Sequence, residues 1–330
     1  MSQILPGTDP QAIATAAALL RAGEVVAFPT ETVYGLGADA LNEHAVAQVF
    51  AIKNRPHFDP LIVHVPDKDA VASYATDIDE RAVALMAHFW PGPLTLVLRK
   101  RSNIPDLVTA GLDTVAIRVP AHPVALALLR AAQVPVAAPS ANPFGYVSPT
   151  TAQHVQELLG NAVPLILDGG PCTVGVESTV CALTEAQAVI LRPGGISIEA
   201  IEAVIGPVAF ASPTQADARS PGTLLSHYAP HVTLRLLAPG EPIPHVGENE
   251  RVGLLLFKPR PHVAGYAVTE VLSPRGNLTE AAAHLFAALR RLDAARLDLV
   301  VVEPVPEHGL GRAIMDRLRR AAGGSNSLGH

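Results

Sequence analysis

Cysteine is scarce in this sequence: its 330 residues include only Cys172 and Cys181. Two thiols cannot supply a four-thiolate zinc site or a disulfide network, and a chain of this length does not need such links to bury a core. Both are most simply read as small buried apolar side chains. We therefore expect a globular protein of a reducing compartment, the cytoplasm.

Positive charge is also in short supply. The 24 lysine and arginine residues face 30 aspartate and glutamate residues, which gives a formal net charge of −6. Residues 1–205 hold 11 basic and 19 acidic side chains, whereas residues 206–330 hold 13 and 11. This excludes a polybasic protein that holds nucleic acid or an anionic membrane through its overall field. The placement of the few cations in the first part therefore becomes informative.

Long hydrophobic runs are absent as well. A membrane helix needs about 18 consecutive apolar residues. The apolar stretch over residues 124–138 is interrupted by Arg130, Gln133 and Pro135. The first ten residues lack the positive and apolar regions of a signal peptide. We expect no membrane partner.

The pattern that is present is that of an α/β fold. Short β-branched runs alternate with alanine- and leucine-rich segments of helical length, separated by 30 prolines and 25 glycines. Helices are predicted over residues 10–22, from an Asp77 and Glu80 capping box to about Phe89, and from Thr151 to Gly160. The predicted strands cover residues 24–28, 61–65, 94–99, 114–120, 134–139, 164–169, 178–183 and 188–193.

The composition and the hydrophobic pattern change after residue 205. A stretch rich in proline, serine and alanine follows without periodicity, and beyond it lies a smaller α/β set. Its predicted strands cover residues 232–237, 252–257 and 297–305, with a helix from 278 to about 292 and a terminal helix. We predict a first domain over 1–206, a linker over 207–230, a second domain over 231–322 and a flexible tail over 323–330.

Three common nucleotide and hydrolase signatures are absent or incomplete in this sequence. The only four lysines precede Asn54, Asp69, Arg101 and Pro259, so the glycine-lysine-serine/threonine of a Walker loop is absent. The segment GLGADA (35–40) fits the glycine pattern of a dinucleotide fold but follows a threonine-rich turn and does not open a helix at once. No glycine-X-serine-X-glycine elbow of a serine hydrolase occurs.

Three polar clusters interrupt or follow apolar strands: PTETVYGLGADA (29–40), KNRPHFDPLIVHV (53–65) and PSANPFGYVSP (139–149). Hydroxyls at strand ends and the neighbouring cations Lys53 and Arg55 suit an anionic ligand such as ATP, because guanidinium and ammonium groups bind phosphate oxygens. The alternative is that the hydroxyls cap turns and the two cations are solvated. Spacing alone leaves both open.

These clusters, together with DGGPCTVGVESTV, LRPGG, SPGTLLSHYAP and GLGRAIMDRLRRAA, occur in an order that resembles the YrdC-like threonylcarbamoyl-AMP synthases. The resemblance spans nearly the whole chain and is to the long form, which has a second, carboxy-terminal domain. It implies a twisted mixed sheet with helices and an open cavity, plus a smaller Rossmann-like α/β domain.

The resemblance implies an enzyme that makes threonylcarbamoyl-AMP and pyrophosphate from L-threonine, bicarbonate and ATP, for the threonylcarbamoyladenosine modification of tRNA. Mg²⁺ is expected with ATP, held largely by the phosphates, so that no dedicated protein metal site is expected. The downstream tRNA threonylcarbamoyl transferase is the implied partner. Direct contact with tRNA stays open, as does the role of the second domain.

The site residues are implied residue by residue. Lys53 and Arg55 are expected to act in catalysis, and Arg118 to pair with the substrate carboxylate. The threonine pocket is expected to contain Thr32, His64, Arg118, Ala138 and Ser178. The ATP side is expected to contain Arg55, Asp59, Thr114, Ser140, Asn142, Ser148, Arg192 and Tyr228.

One position departs from the family pattern. Asp59 stands where an asparagine is usual, and its carboxylate would either bind magnesium or change the affinity for ATP. His64 would, without the resemblance, be read as a core histidine. The terminal arginines are read as a solvated face: Arg312, Arg317, Arg319 and Arg320.

Two rival functions remain at this stage. One is a non-catalytic RNA-binding module, against which the acidic balance of residues 1–205 argues. The other is adenylation of another carbamoylated amino acid.

Overall fold

The computed structural model describes residues 2–211, 228–247, 250–261 and 263–323. The strands of the first, large sheet are β1 (Gln3–Pro6), β2 (Val26–Phe28), β3 (Gly35–Asp39), β4 (Ile62–His64), β5 (Ala75–Thr76), β6 (Leu94–Lys100), β7 (Thr114–Arg118), β8 (Val136–Ala137), β9 (Leu165–Asp168), β10 (Thr179–Ala182), β11 (Val189–Arg192) and β12 (Ala209–Phe210). The strands of the second sheet are β13 (Leu234–Leu236), β14 (Val252–Leu256), β15 (Val268–Val271) and β16 (Leu299–Val302). The helices are α1 (Pro10–Arg21), α2 (Glu43–Lys53), α3 (Glu80–Phe89), α4 (Asp106–Thr109), α5 (Pro123–Ala132), α6 (Ala152–Leu159), α7 (Ile198–Ile205), α8 (Leu278–Ala294) and α9 (Gly311–Gly323).

The large sheet mixes parallel and antiparallel pairs in the order β1-β9-β2-β3-β8-β4-β7-β6-β10-β11-β12, with β5 paired to β6. Strand β2 shows why the sheet is buried on both faces. Val26 and Phe28 join a core with α1 and α5, whereas Ala27 joins the core on the opposite face. The fold class that the sequence predicts, a mixed α/β sheet with helices and a second α/β domain, is confirmed.

The second sheet is fully parallel, in the order β13-β16-β14-β15, and packs against α8 and α9. Its apolar core does not stop at the domain border. Val33, Val147, Val176 and Tyr228 belong to the same buried cluster as Phe286 of α8. The apolar core of the second sheet therefore continues into loops of the first domain.

The structure agrees with some local predictions and corrects others. GLGADA lies in strand β3 and its end, so it forms no dinucleotide turn, in agreement with the sequence analysis. Helix α3 is capped by Asp79, whose carboxylate accepts the amide of Ala82, because Asp77 adopts a left-handed backbone with φ of 54°. Thr151 does cap α6. The predicted linker lies outside the described residues over 212–227, as does the tail over 324–330.

Candidate active site

A cavity opens where several strands of the large sheet end. The cavity volume is about 50 Å³, so the side chains that line it lie close together. Strand β4 pairs with β7 in parallel, so that His64 and Arg118 stand side by side at the same edge. The cavity is lined by Thr30, Thr32, Val33, Gly35, Arg55, Ile62, His64, Arg118, Ala138, Pro139, Ser140, Glu177, Ser178, Arg192 and Tyr228.

Arg118 is held by three groups. Its Nη1 donates to Thr32 Oγ1 at 2.9 Å, its Nε donates to the carbonyl of Gly92 at 3.2 Å, and its Nη2 lies 2.7 Å from Glu31 Oε1. Thr30 Oγ1 lies 2.7 Å from Thr32 Oγ1 and donates to the carbonyl of Val33, which fixes the turn after β2. The guanidinium is thus oriented before any substrate arrives.

Arg55 and Asp59 form a second buried ion pair. Arg55 Nη2 lies 2.8 Å from Asp59 Oδ2 and donates to the carbonyl of Pro60 at 2.9 Å. Burial raises the pKa of the Asp59 carboxyl, and the charge of Arg55 opposes this. Because Arg55 lines the cavity and Asp59 does not, the carboxylate supports the guanidinium from behind.

Lys53 lies behind the serine-alanine-asparagine turn that follows β8. Its Nζ donates to the carbonyls of Ser140 and Asn142, at 2.5 Å each. Asn142 in turn donates to the carbonyls of Pro143 and Tyr146. Burial lowers the pKa of Lys53 well below its ordinary value, and the charge of Arg55 adds to this. Lys53 does not line the cavity, so the structure places it where it fixes the loop that carries Ser140.

Arg192 and Ser178 form the wall opposite that loop. Arg192 Nη2 donates to the carbonyl of Ser178 at 2.9 Å and to its Oγ at 3.2 Å. Ser178 Oγ also lies 2.7 Å from Thr95 Oγ1 on β6. Ser178 is therefore oriented by two groups, with its side chain at the cavity surface.

Glu177 connects the site to the second domain. Ser148 Oγ donates to Glu177 Oε1 at 2.6 Å, and Arg317 Nε of helix α9 donates to Glu177 Oε2 at 2.8 Å. Tyr228 lies near the end of the predicted linker and is the first residue described after the gap at 212–227. It is also buried here, with its ring 5.7 Å from that of Phe286. Burial raises the pKa of Tyr228, and the charge of Glu177 adds to this.

Thr114 is the one predicted site residue that the structure places elsewhere. It begins β7, whereas Arg118 ends it, and four residues of extended strand separate them by about 13 Å. Thr114 lines a different depression, together with Arg99 and Asp113. The other predicted residues lie in the cavity wall or directly behind it.

Sequence reasoning missed four residues at the site. Glu31 and Glu177 lie in two of the motifs, PTETVYGLGADA and DGGPCTVGVESTV, and were left without an assigned role. Thr30 stabilises the turn that carries Thr32. Arg317 was read as solvated, whereas its side chain is 0% exposed. Helical spacing could have predicted this burial, because position 317 lies on the same buried face of the helix as Ile314, Leu318 and Ala321.

His64 is buried in the cavity wall with its ring edge against Phe28. Desolvation and the charge of Arg118 lower the pKa of His64 to about 3. The imidazole is therefore neutral at physiological pH, and it can accept or donate one hydrogen bond to a substrate without adding charge.

This shift predicts a pH dependence of stability. The folded-state pKa lies below the unfolded value of about 6.5, so below that pH the unfolded chain gains a proton on His64 that the folded chain does not bind. Stability is thus fully present above about pH 6.5 and is lost as pH falls towards about 3. Between pH 8 and pH 5 the protein should lose roughly 2 kcal/mol more unfolding free energy than His64→Asn.

Urea unfolding of both proteins at the two pH values measures this difference. His154, whose pKa is lowered to about 4 mainly by burial, acts equally in both proteins and cancels. Identical pH dependences for the two proteins would show that His64 titrates normally in the folded state.

A mixed α/β sheet whose strand ends carry oriented arginines and hydroxyls around one cavity defines an enzyme that acts on small anionic substrates. A family model described as "Telomere recombination" (Sua5_yciO_yrdC) matches residues 18–194, and one described as "Threonylcarbamoyl-AMP synthase, C-terminal domain" matches residues 196–323. The chain belongs to the Sua5/YrdC family of threonylcarbamoyl-AMP synthases, in its long form.

Relatives agree over nearly the full length. The chain is 46% identical to the threonylcarbamoyl-AMP synthase of Bacillus subtilis over 97% of its own residues and 95% of that protein. It is 44% identical to that of Pyrococcus abyssi, with 94% of each chain covered. A crystal structure of P. abyssi Sua5 complexed with L-threonine superposes with a TM-score of 0.88 at 40% identity, covering 96% of each chain.

Proposed function

We propose that the chain synthesises threonylcarbamoyl-AMP from L-threonine, bicarbonate and ATP, with release of pyrophosphate. The observation that carries this is that one cavity is lined by arginines from separate elements, in two different surroundings. Arg118, flanked by Thr32 and His64, suits an amino-acid carboxylate, whereas Arg55 and Arg192 suit phosphates. Family membership and the threonine complex of a relative support the same assignment.

The threonine subsite is proposed to lie at the ends of β4 and β7. Arg118 binds the carboxylate, while the hydroxyls of Thr32 and Ser178 and the neutral imidazole of His64 bind the amine and hydroxyl groups. The Ala138 backbone closes the pocket. Glu31, which does not line the cavity, keeps Arg118 in place.

The ATP subsite is proposed to lie between Arg55, Arg192 and Ser140. Lys53, Asn142 and Ser148 hold the loops around it, and Asp59 holds Arg55. The threonine amine attacks bicarbonate to give a carbamate and water. A carbamate oxygen then attacks the α-phosphorus in line, and the bond to pyrophosphate breaks. Positioning and charge neutralisation supply the catalysis without a covalent nucleophile.

Magnesium is proposed to arrive with ATP and to be held mainly by its phosphates. The described residues contain no group of three His, Cys, Asp or Glu side chains that could hold a metal ion. Asp59, which lies behind the cavity wall, is engaged by Arg55 at 2.8 Å. We therefore favour an effect of Asp59 on ATP affinity through Arg55.

Residues 1–206 are proposed as the catalytic domain, 207–230 as a lid, and 231–322 as the second domain. Tyr228, in the cavity wall at the end of the lid, supports this. The product is a labile mixed anhydride, so we propose transfer to a tRNA threonylcarbamoyl transferase in the cytoplasm. No helix of the described part has the length and apolar character to cross a membrane.

Pyrophosphate release tests the proposal. Purified protein with ATP, magnesium and bicarbonate should release pyrophosphate only when L-threonine is added, and omission of bicarbonate should abolish the release. In parallel assays, serine and other amino acids are added as competitors of L-threonine. A lack of threonine-dependent release by protein that binds ATP would favour another amino acid or an RNA-binding role, which a salt-dependent gel shift distinguishes.

A further inference from the structure

The second domain inserts one charged side chain into the interior of the first. Arg317 of helix α9 is the largest fully buried side chain of the described residues, with 0% exposure. Its Nε donates to Glu177 at 2.8 Å and its Nη1 donates to the carbonyl of Pro193 at 2.9 Å. Both acceptors belong to the first domain. A buried guanidinium is costly unless each such contact is made, so this arrangement fixes α9 against the cavity wall.

Glu177 is the carboxylate at the cavity surface, among the residues described. Ser148 donates to one of its oxygens and Arg317 to the other. Without Arg317, the carboxylate would face a cavity that must accept a triphosphate. Its negative charge would then repel the phosphates or attract Arg192, whose pKa it already raises against the larger effect of desolvation.

Arg317 lies between two carboxylates. Its guanidinium is 2.6 Å from Asp316 and 2.8 Å from Glu177, and Asp316 also lies 3.0 Å from Arg320. The Arg317 guanidinium also lies 5.1 Å from the centre of the Tyr228 ring. Removing this cation leaves Glu177 without its ion-pair partner and removes one contact of the Tyr228 ring.

The second domain also holds the loop that contains Ser140, Asn142 and Ser148. Tyr146 of that loop donates to Asp293 on α8 at 2.6 Å, and Arg290 on α8 donates to the carbonyl of Val147 at 2.5 Å. Two helices of the second domain thus contact the proposed ATP side from behind, at Tyr146 and Val147 and at Glu177.

We propose that Arg317 is a positioning residue of the ATP subsite: it neutralises Glu177 and so makes the nucleotide side of the cavity complete only when the second domain is docked. This inference rests on the proposed function. It assigns the second domain a role in ATP binding, distinct from recruitment of a partner.

A double-mutant cycle tests the pair. Arg317→Met should raise the KM for ATP by about tenfold or more, because it leaves Glu177 buried and unpaired. The KM for L-threonine, whose proposed subsite lies around Arg118, should change much less. Adding Glu177→Gln to Arg317→Met should restore most of the ATP affinity, because the orphaned charge is gone.

The matched control is Arg319→Met on the same helix, whose partner Glu307 is exposed and distant from the cavity. It should leave both KM values unchanged. If Arg317→Met does not fold, Arg317→Gln, which is also neutral but keeps hydrogen-bonding groups, carries the same test with and without Glu177→Gln. Equal losses of threonine and ATP affinity, or no recovery in the double variant, would overturn the proposal and leave Arg317 a purely structural residue.

Direct binding separates this inference from the proposed function. Affinity for ATP is measured by calorimetry without threonine or bicarbonate, so that it does not depend on turnover. If the wild-type chain binds ATP but releases no pyrophosphate, the proposed reaction fails. The effect of Arg317 on ATP affinity is still decided by the same variants.

Discussion

Arg118→Met is expected to lower kcat/KM for L-threonine by a factor of about a hundred or more, measured as threonine-dependent pyrophosphate release. Arg118 lines the cavity and is held by Thr32, Gly92 and Glu31, so its guanidinium is already oriented for a carboxylate. Truncating one partner of a buried charge pair costs about 2 to 5 kcal/mol, which is roughly 30- to several-thousandfold in affinity. The KM for ATP should change little.

Part of that loss would come from Glu31, which the substitution leaves buried without its cation. Arg118→Met with Glu31→Gln separates the two effects, because glutamine removes the orphaned charge but supplies no guanidinium. The double variant should regain folding stability in urea and still require far more threonine than the wild-type chain. Recovery of the wild-type threonine requirement would mean that Arg118 only neutralises Glu31 and does not bind substrate.

The motifs predicted the position of this site because strand ends meet at one edge of a sheet. His64 and Arg118 each close an apolar run, and the parallel register of β4 and β7 places them side by side. The same reasoning placed Arg192 at the end of β11. Thr114 begins β7 and Arg118 ends it, so the strand places Thr114 away from the edge where the cavity opens, and its predicted ATP role stays a prediction.

Roles within the site were harder to predict than positions. Lys53 and Arg55 look equivalent in sequence as two cations one residue apart. The structure separates them, since Lys53 ends α2 with its ammonium on two loop carbonyls, whereas Arg55 reaches the cavity. Which side of a loop a cation occupies depends on how α2 packs, and local sequence does not carry that information.

The contacts between the two domains could not be predicted from the sequence, for a different reason. Glu177 and Arg317 are 140 positions apart, and pairing them requires the docking of α9 against the first domain. A charge on an apolar helical stripe is nevertheless a usable signal. At position 317 it predicts burial against a partner carboxylate on another element.

Gly175→Ala is expected to disrupt the docking of the second domain. A Cβ atom at this position would lie 2.5 Å from the carbonyl oxygen of Ala282 and 2.7 Å from that of Ala283, both in the backbone of α8. A helix backbone cannot yield as a flexible side chain does, so α8 must move away. Overpacking and the unfavourable φ of +73° together should cost about 3 kcal/mol or more.

The control comes from the same loop. Gly170 has a φ of +79°, but an added Cβ would meet nothing within 4 Å. Gly170→Ala therefore carries the backbone strain of about 1 to 2 kcal/mol without the clash. Urea unfolding of both variants measures the difference, and limited proteolysis between the two sheets shows whether the second domain separates.

Displacement of α8 should also weaken ATP binding. If α8 moves, the Arg290 and Asp293 contacts to Val147 and Tyr146 are lost, and α9, which packs against α8, carries Arg317 away from Glu177. Gly175→Ala should therefore raise the KM for ATP well beyond any change in Gly170→Ala. If it unfolds earlier but keeps the wild-type ATP affinity, the first domain binds nucleotide without its neighbour, and docking matters only for stability.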